Sequence, residues 1–301
     1  MEVRSLVLAP GLVLLAAMAA AQEPRWCRNT LLTFDGGNSV LTLRPAAGAA
    51  RAISFARPAE PVESLLVRDY VLREDGRLLV AAAGVLRGQG GTTNLVLELD
   101  ADDPSAPAKV RNTGGVACWV VEDAGKGFWC LGPNMPALFR GQDYGVLYRF
   151  RDGEGEPEVV LKRSELPRES TQSAWAGWAQ LLRLPGDGVL AWMPGVRRVA
   201  RVAGGKARVE EMPYKARPHA VVSVAVDGEG ALHALLPLGE EEKLDSEYGV
   251  FRREGNEWVR VARETRVARG TRLLGVGGRA ALLLDRRLRL TVAELEAGPG
   301  P

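Results

Sequence analysis

The sequence predicts an all-β fold, a β-propeller built from four-stranded blades, and three observations point to it. Five apolar hairpins of the same design recur along the chain: Tyr70–Val80 around Asp75-Gly76, Ala117–Leu131 around Gly125-Lys126-Gly127, Trp178–Trp192 around Gly186-Asp187-Gly188, Val221–Leu236 around Asp227-Gly228, and Leu273–Leu284 around Gly277-Gly278. Each is a pair of β-rich runs flanking a turn whose glycines accept positive φ. A second, more polar hairpin follows each of the first four, so two inner and two outer strands make one sheet. The turn glycines Gly76, Gly127, Gly188, Gly230 and Gly278 are separated by 51, 61, 42 and 48 residues, which suits four-strand units with loops of variable length.

The polar hairpins are read in order. Asn94–Leu99 and Lys109–Arg111 are joined by the Pro-containing loop Asp100–Ala108, and Val146–Phe150 and Glu158–Lys162 flank Asp152-Gly153-Glu154-Gly155. Val199–Val202 and Ala207–Val209 flank Gly204-Gly205; Val250–Arg252 and Trp258–Val261 flank Glu254-Gly255-Asn256. The fifth unit runs out of chain after Leu288–Leu295, while Leu31–Leu43 forms an outer-type hairpin with no inner pair before it. N-terminal strands that complete the C-terminal blade would close the ring and leave no exposed edge. Five blades follow from this solution, and six if Leu31–Phe55 makes a blade of its own. A two-sheet sandwich is the competing arrangement.

Met1–Ala21 carries an early arginine, Arg4, then the apolar run Leu6–Ala21, interrupted by Pro10-Gly11 and ending in small residues. Its 16 apolar-run residues fall short of a membrane span, and the pattern is that of a cleaved secretory signal peptide. The mature chain is therefore expected to start near Gln22, to be exported to the periplasm or beyond, and to have no integral membrane segment. Residues 22–295 form one propeller domain and 296–301 a disordered tail.

With 39 basic and 37 acidic residues the formal charge is +2, and no basic stripe suggests a nucleic-acid partner. Three cysteines in an exported chain permit one disulfide. Cys118 and Cys130 stand symmetrically about Ala124 in one hairpin, so a pairing centred there would bring their sulfurs together; two buried thiols are the alternative.

The segments Val224-Ala225-Val226-Asp227-Gly228-Glu229-Gly230, Val146–Gly153 and Leu32-Thr33-Phe34-Asp35-Gly36-Gly37 resemble the repeat units of NHL-type propellers, including the streptogramin-lyase-like and gluconolactonase-like groups. The order of units, with Ala117-Cys118-Trp119-Val120-Val121 and the closing Trp258–Val261 to Leu273-Leu274-Gly275, also resembles exported bacterial propellers. The resemblance covers most of residues 30–295 and implies the fold. It further implies, for an enzyme of this kind, a metal held at the centre of the ring by acidic, Asn or His side chains beside a general base.

The residues themselves supply no such set. Of the two histidines, His233 sits mid-strand as a packed side chain, and His219 stands at the entry to an inner strand, where propellers line their mouth. No His-x-x-x-His, Cys-x-x-Cys or Gly-x-Ser-x-Gly motif occurs. Gly84–Gly91 and Gly275–Gly278 lead into no helix with a Lys-Ser/Thr step, and Glu240–Asp245 reads as a solvated loop. Catalytic residues, metal ligands and a cofactor are therefore not assigned. Binding is expected on the face built from the long connections 56–64, 132–144, 163–175, 211–219 and 238–248. These offer Arg140, Asp143, Tyr144, Glu169, Trp175, Tyr214 and His219, a polar and aromatic set suited to a protein, peptide or glycan. The expected protein is a monomeric, non-catalytic binding module; the alternative is a metal-dependent lactonase-like or lyase-like enzyme with its site at the central channel.

Overall fold

A computed structural model describes residues 24–55, 61–88, 93–113, 119–123, 127–132, 140–152, 156–166, 180–193, 198–211, 223–238, 247–262, 267 and 271–296. Among the described residues twenty-three strands form six antiparallel sheets, each taken up by the chain in sequence order. Blade 1 is β1 (Arg25–Cys27), β2 (Thr30–Asp35), β3 (Val40–Pro45) and β4 (Arg51–Ser54). Blade 2 is β5 (Val62–Leu72), β6 (Arg77–Leu86), β7 (Thr93–Asp100) and β8 (Lys109–Asn112). Blade 3 is β9 (Trp119–Asp123), β10 (Gly127–Leu131), β11 (Gly145–Arg151) and β12 (Glu158–Lys162). Blade 4 is β13 (Gln180–Arg183), β14 (Val189–Met193), β15 (Arg198–Ala203) and β16 (Lys206–Glu211). Blade 5 is β17 (Ser223–Val226), β18 (Leu232–Pro237), β19 (Tyr248–Glu254) and β20 (Glu257–Arg260). Blade 6 has three strands among the described residues: β21 (Arg272–Gly277), β22 (Ala280–Leu284) and β23 (Leu290–Glu294).

The first strand of every blade is the innermost. β1 lies against β5, β5 against β9, β9 against β13, β13 against β17 and β17 against β21, and β21 returns to β1, so the ring is closed. The architecture is thus the predicted all-β propeller, with the blade count corrected from five to six. The N-terminal strands do not complete the C-terminal blade: they make a blade of their own, whose inner strand β1 pairs with β2 in the register Arg25↔Leu32 to Cys27↔Thr30. The physical reason is the turn. Arg28 and Asn29 both take positive φ, 52° and 56°, the geometry of a two-residue type I′ hairpin, here without a glycine to announce it. Leu31–Leu43 therefore forms the two middle strands of blade 1, and Leu32, Leu41 and Leu43 are fully buried there.

Three turns share one device, an aspartate that caps the turn's backbone N–H groups. The Asp227 carboxylate accepts from the backbone N–H of Glu229 (3.0 Å) and Ala231 (2.9 Å), and Gly230 takes φ 87°. Asp75 caps the β5–β6 turn through Arg77 N–H (3.1 Å), and Asp285 caps the β22–β23 turn through Arg287 and Arg289 N–H. The apolar cores lie between blades. Val71, Leu79 and Ala81 of blade 2 meet Phe128, Cys130 and Phe150 of blade 3, with the two phenyl rings stacked at 4.8 Å, and equivalent clusters join blades 1 and 2, 3 and 4, 4 and 5, and 5 and 6.

The β9–β10 register pairs Gly127 with Asp123 and so sets Cys130 opposite Val120, two residues from the partner that symmetry about Ala124 would give. The in-register partner expected for Cys130 is thus displaced by Val120, and Cys118 lies outside the described residues. No helix among the described residues is long and apolar enough to cross a membrane.

Candidate functional site

In an antiparallel blade successive connections alternate ends, so the loop between second and third strands emerges at the same end as the link to the next blade. The connections 132–144 and 238–248 are of the first kind; 56–64, 163–175 and 211–219 are of the second. The strand ends that bound the five long connections named from the sequence therefore lie at one end of the blades. Glu169, Trp175, Tyr214 and His219 lie outside the described residues, whereas Arg140, Asp143 and Tyr144 are described.

These three sit at the foot of the 132–144 connection, where it enters β11. Arg140 and Asp143 are exposed and Tyr144 is buried. Asp143 accepts two hydrogen bonds from Ser164, one from its hydroxyl at 2.8 Å and one from its backbone N–H at 3.0 Å. The Tyr144 carbonyl accepts from Arg163 N–H at 2.8 Å, and the Glu165 carboxylate accepts from Lys162 N–H at 2.5 Å. Ser164 belongs to the one-turn 3-10 helix Arg163–Glu165 that opens the 163–175 connection. Two long connections are thereby tied together at their feet. The Ser164 hydroxyl bond, aided by the Ser164 N–H and the Lys162 charge, holds the Asp143 carboxyl below the ordinary carboxylate range, against a smaller effect of desolvation.

Beneath them the Tyr148 hydroxyl donates to the Gly145 carbonyl at 2.5 Å in a buried setting, and burial raises its affinity for the proton. Gly145 is required here, since a Cβ at that position would stand 2.6 Å from the Tyr148 ring. Arg149, the next residue of β11, lies over the Trp129 ring at 5.0 Å and donates from Nε (2.6 Å) and Nη2 (3.0 Å) to the Asp123 carboxylate, whose side chain is 1% exposed. This fork ties the third strand of blade 3 to its innermost strand.

Three polar groups of the inner strands bind neighbouring blades. Arg25 of β1 donates to Asp69 of β5 at 2.6 Å; the Gln180 side-chain oxygen of β13 accepts from Val224 N–H at 3.0 Å; the fully buried Ser223 hydroxyl of β17 accepts from Leu273 N–H at 2.6 Å. At the opposite, short-turn face, Arg28 donates to the Arg73 and Glu74 carbonyls, and Glu74 pairs with Arg183 at 2.6 Å, linking blades 1, 2 and 4. Farther out Glu98 gathers Arg73, Arg77 and Lys109, and Asp152 takes Lys109 and Arg111. The oxygens of Asp69, Asp123, Gln180 and Ser223 each face a cationic or N–H donor, whereas a divalent cation demands several convergent oxygens with lone pairs to spare. No group of three His, Cys, Asp or Glu side chains among the described residues is placed to hold a metal ion.

Sequence reading did not single out Asp123, Arg149, Arg25 or Asp69. The signal was present in one form only: Arg149 interrupts the apolar alternation of Val146–Phe150 at a position that the register sets opposite Trp129.

His233 is the packed histidine expected. It is 3% exposed, and its Nε2 lies 2.9 Å from Asp227 Oδ2. Since the carboxylate only accepts, Nε2 carries the proton and Nδ1 is left buried without a partner. Burial, more than the opposing attraction of Asp227, lowers the affinity of the ring for a second proton, and Arg252 opposite it on β19 acts in the same direction as burial. Asp227 is also held low: desolvation is outweighed by the bonds from His233, Ala231 and Glu229. The unfolded chain therefore takes up more protons than the fold as pH falls below the ordinary histidine value of about 6.5. Stability is complete above that value and is lost as pH falls through the depressed folded value, then further as Asp227 protonates. A His233→Gln variant is expected to lose the histidine part of this slope, so that its urea midpoint stays level between about pH 6.5 and pH 5 while the parent declines. Parallel curves for the two proteins would show that His233 does not titrate against the fold.

No protein-family model matches the chain, and no curated protein sequence matches it. Among solved structures, a catalytically inactive variant of virginiamycin B lyase from Staphylococcus aureus, crystallised with quinupristin, matches with a TM-score of 0.50 at 8% identity, over 92% of this chain and 96% of that one. A selenomethionine form of the same lyase gives 0.50 at 9% identity over the same shares. A streptogramin B lyase gives 0.43 at 10% identity, over 93% of this chain and 85% of that one. The likeness to these lyases is thus one of fold, the propeller that the repeats predict. At such identity the likeness is one of architecture, which many functions share.

Proposed function

We propose that this protein is an exported, non-catalytic binding module that takes a protein, peptide or glycan on the face built from its long connections. The observation that carries the reading is the Asp143–Ser164 tie, which fixes the feet of two of those connections to each other on a scaffold whose inner-strand Gln180 and Ser223 join neighbouring blades. A rigid base under long connections suits recognition, because less conformational freedom is lost when a ligand binds. Arg140 and Asp143 add exposed charge of both signs to that face, and Trp175, Tyr214 and His219 are assigned to it from the sequence.

The test is a screen of glycan and peptide arrays with the secreted protein, whose intact mass should start near Gln22. Asp143→Ala and Ser164→Ala are each expected to weaken the captured ligand roughly ten-fold while leaving the melting midpoint within a few degrees, since both residues are exposed. Binding unchanged in both variants would move the site elsewhere. The alternative, a metal-dependent lactonase-like or lyase-like enzyme acting at the central channel, is supported by the shared fold alone. It would take the place of the binding reading if chelated protein gained many degrees on adding calcium and turned over a lactone in a reaction abolished by His219→Ala.

A further inference from the structure

The sequence sets glycine directly after aspartate at five places: Asp35-Gly36, Asp75-Gly76, Asp152-Gly153, Asp187-Gly188 and Asp227-Gly228. In such a pair the glycine nitrogen can close on the side-chain carboxyl before it, because no Cβ obstructs the approach. The reaction needs a carboxyl that can turn back on its own chain, and four of the five are held. Asp35 accepts from the N–H of Gly37 and Asn38 and, at 2.6 Å, from the Asn38 side-chain amide. Asp75 accepts from Arg77 N–H at 3.1 Å, and the Gly76 N–H that would attack it donates to the Arg73 carbonyl at 3.2 Å. Asp152 pairs with Lys109 at 3.3 Å and Arg111 at 3.4 Å, and Asp227 is held by the N–H of Glu229 and Ala231 and by His233. Asp187 differs. It is exposed in the β13–β14 turn between Gly186, at φ 74°, and Gly188, and among the described residues its carboxylate makes no hydrogen bond or ion pair. Arg149 feels its charge but is forked to Asp123. The Gly188 carbonyl accepts from Leu184 N–H at 2.9 Å, whereas the Gly188 N–H donates to no backbone group among the described residues.

We propose that Asp187 is a site of spontaneous covalent modification, isomerisation to isoaspartate, and that the change loosens the seam between blades 4 and 5. The Gly188 nitrogen bonds to the Asp187 side-chain carboxyl carbon, its proton and the carboxyl hydroxyl leave as water, and a five-membered imide forms. Solvent water then opens one of the two imide C–N bonds. Opening at the main-chain carbonyl leaves the chain running through the side-chain carboxyl, with no net change in mass and one extra carbon in the backbone. The turn has no room for that carbon on its inner side: a Cβ on Gly188 would stand 2.9 Å from the Val202 carbonyl oxygen of β15 and 3.0 Å from Leu184. Gly188 leads straight into Val189, fully buried between Arg183 and Val202 of the adjoining strands. Pro185 of the same turn lies against blade 5, where a Cβ on Gly230 would come within 3.4 Å of its ring, and Arg201 of β15 donates to the Gly230 carbonyl. Lengthening the backbone here displaces packed groups of both blades.

Peptide mapping tests this on purified protein held warm near neutral pH for weeks, beside a sample kept unfolded in guanidinium chloride. The tryptic peptide Leu184–Arg197 should split into two peaks of equal mass, with isoaspartate at 187 several-fold above that at 35, 75, 152 or 227. In the unfolded sample the five places should react at comparable rates, since only the fold separates them. Asp187→Glu would have to close a six-membered ring, which is far slower, so the aged parent should melt a few degrees below the aged variant although fresh samples of the two melt together. Isoaspartate no more abundant at 187 than elsewhere in the folded protein would overturn the inference. So would the same preference for 187 in the unfolded chain, which would trace it to sequence alone, and so would aged parent and aged Asp187→Glu that melt together, since the seam would then be unaffected.

Discussion

Asp123→Ala is expected to lower the stability of the fold by about 3–5 kcal/mol, the range for removing one partner of a buried ion pair. Asp123 ends the inner strand of blade 3, its carboxylate almost wholly shielded, and both its oxygens are held by the Arg149 fork. Removing the carboxylate leaves the guanidinium with 13% of its side chain exposed, stacked on Trp129 and without its counter-charge. The burial, not the ion pair as such, makes the loss large: an exposed pair such as Arg151–Glu158 is worth less than about 1 kcal/mol. Urea unfolding of the single variant and of Asp123→Ala with Arg149→Leu measures it. The double variant should regain part of the loss, because no charge is then left buried. A single-variant loss below about 1 kcal/mol would show that water reaches the pair.

How far the fold was legible in the sequence depended on how each turn is made. Turns with glycine at a positive-φ position, such as Gly76, Gly230 and the Gly204-Gly205 pair, marked their hairpins at the right places. The Arg28-Asn29 turn reaches the same geometry without glycine, and β1, three residues long, offers no alternation to compensate. Missing that strand turned the middle of blade 1 into an outer hairpin and cost one blade in the count. The two-residue shift of the position facing Cys130, from 118 to 120, has a similar origin, since glycines at 125 and 127 mark a turn without fixing its register. Of the proposed site, Arg140 and Asp143 were named from the long connection that carries them. The site's anchoring was not legible, because Ser164 and Asp143 are 21 residues apart and meet only once β11 and β12 pair, with Gly145 opposite Lys162. Likewise Arg25 and Asp69 belong to different blades, and only ring closure brings them together.

Ring closure also sets the largest effect expected of a core truncation, Trp192→Ala. Trp192 lies on β14 between Gln180 and Val199 of its own blade and is 2% exposed. Its indole fills the interface of blades 4 and 5, against a cluster that includes Val224, Leu232, Ala234 and Leu236, with Phe251 and Trp258 at the margin. Replacing a buried tryptophan by alanine costs about 3–5 kcal/mol, and the value depends on how far the surroundings collapse into the space. In an open stack of sheets blade 5 could slide towards blade 4. Here the Gln180 oxygen pins Val224 N–H of blade 5, Ser223 pins Leu273 of blade 6, and β21 meets β1, so collapse at one interface would pull on the others around the ring. The loss should therefore fall at the upper end of the range, with the urea midpoint lowered and the slope of the transition kept. Trp192→Phe, which leaves a smaller void, should recover more than half of it. A Trp192→Ala loss below about 2 kcal/mol would mean that the blades do slide together, and that the ring is less tightly closed than its inner-strand bonds imply.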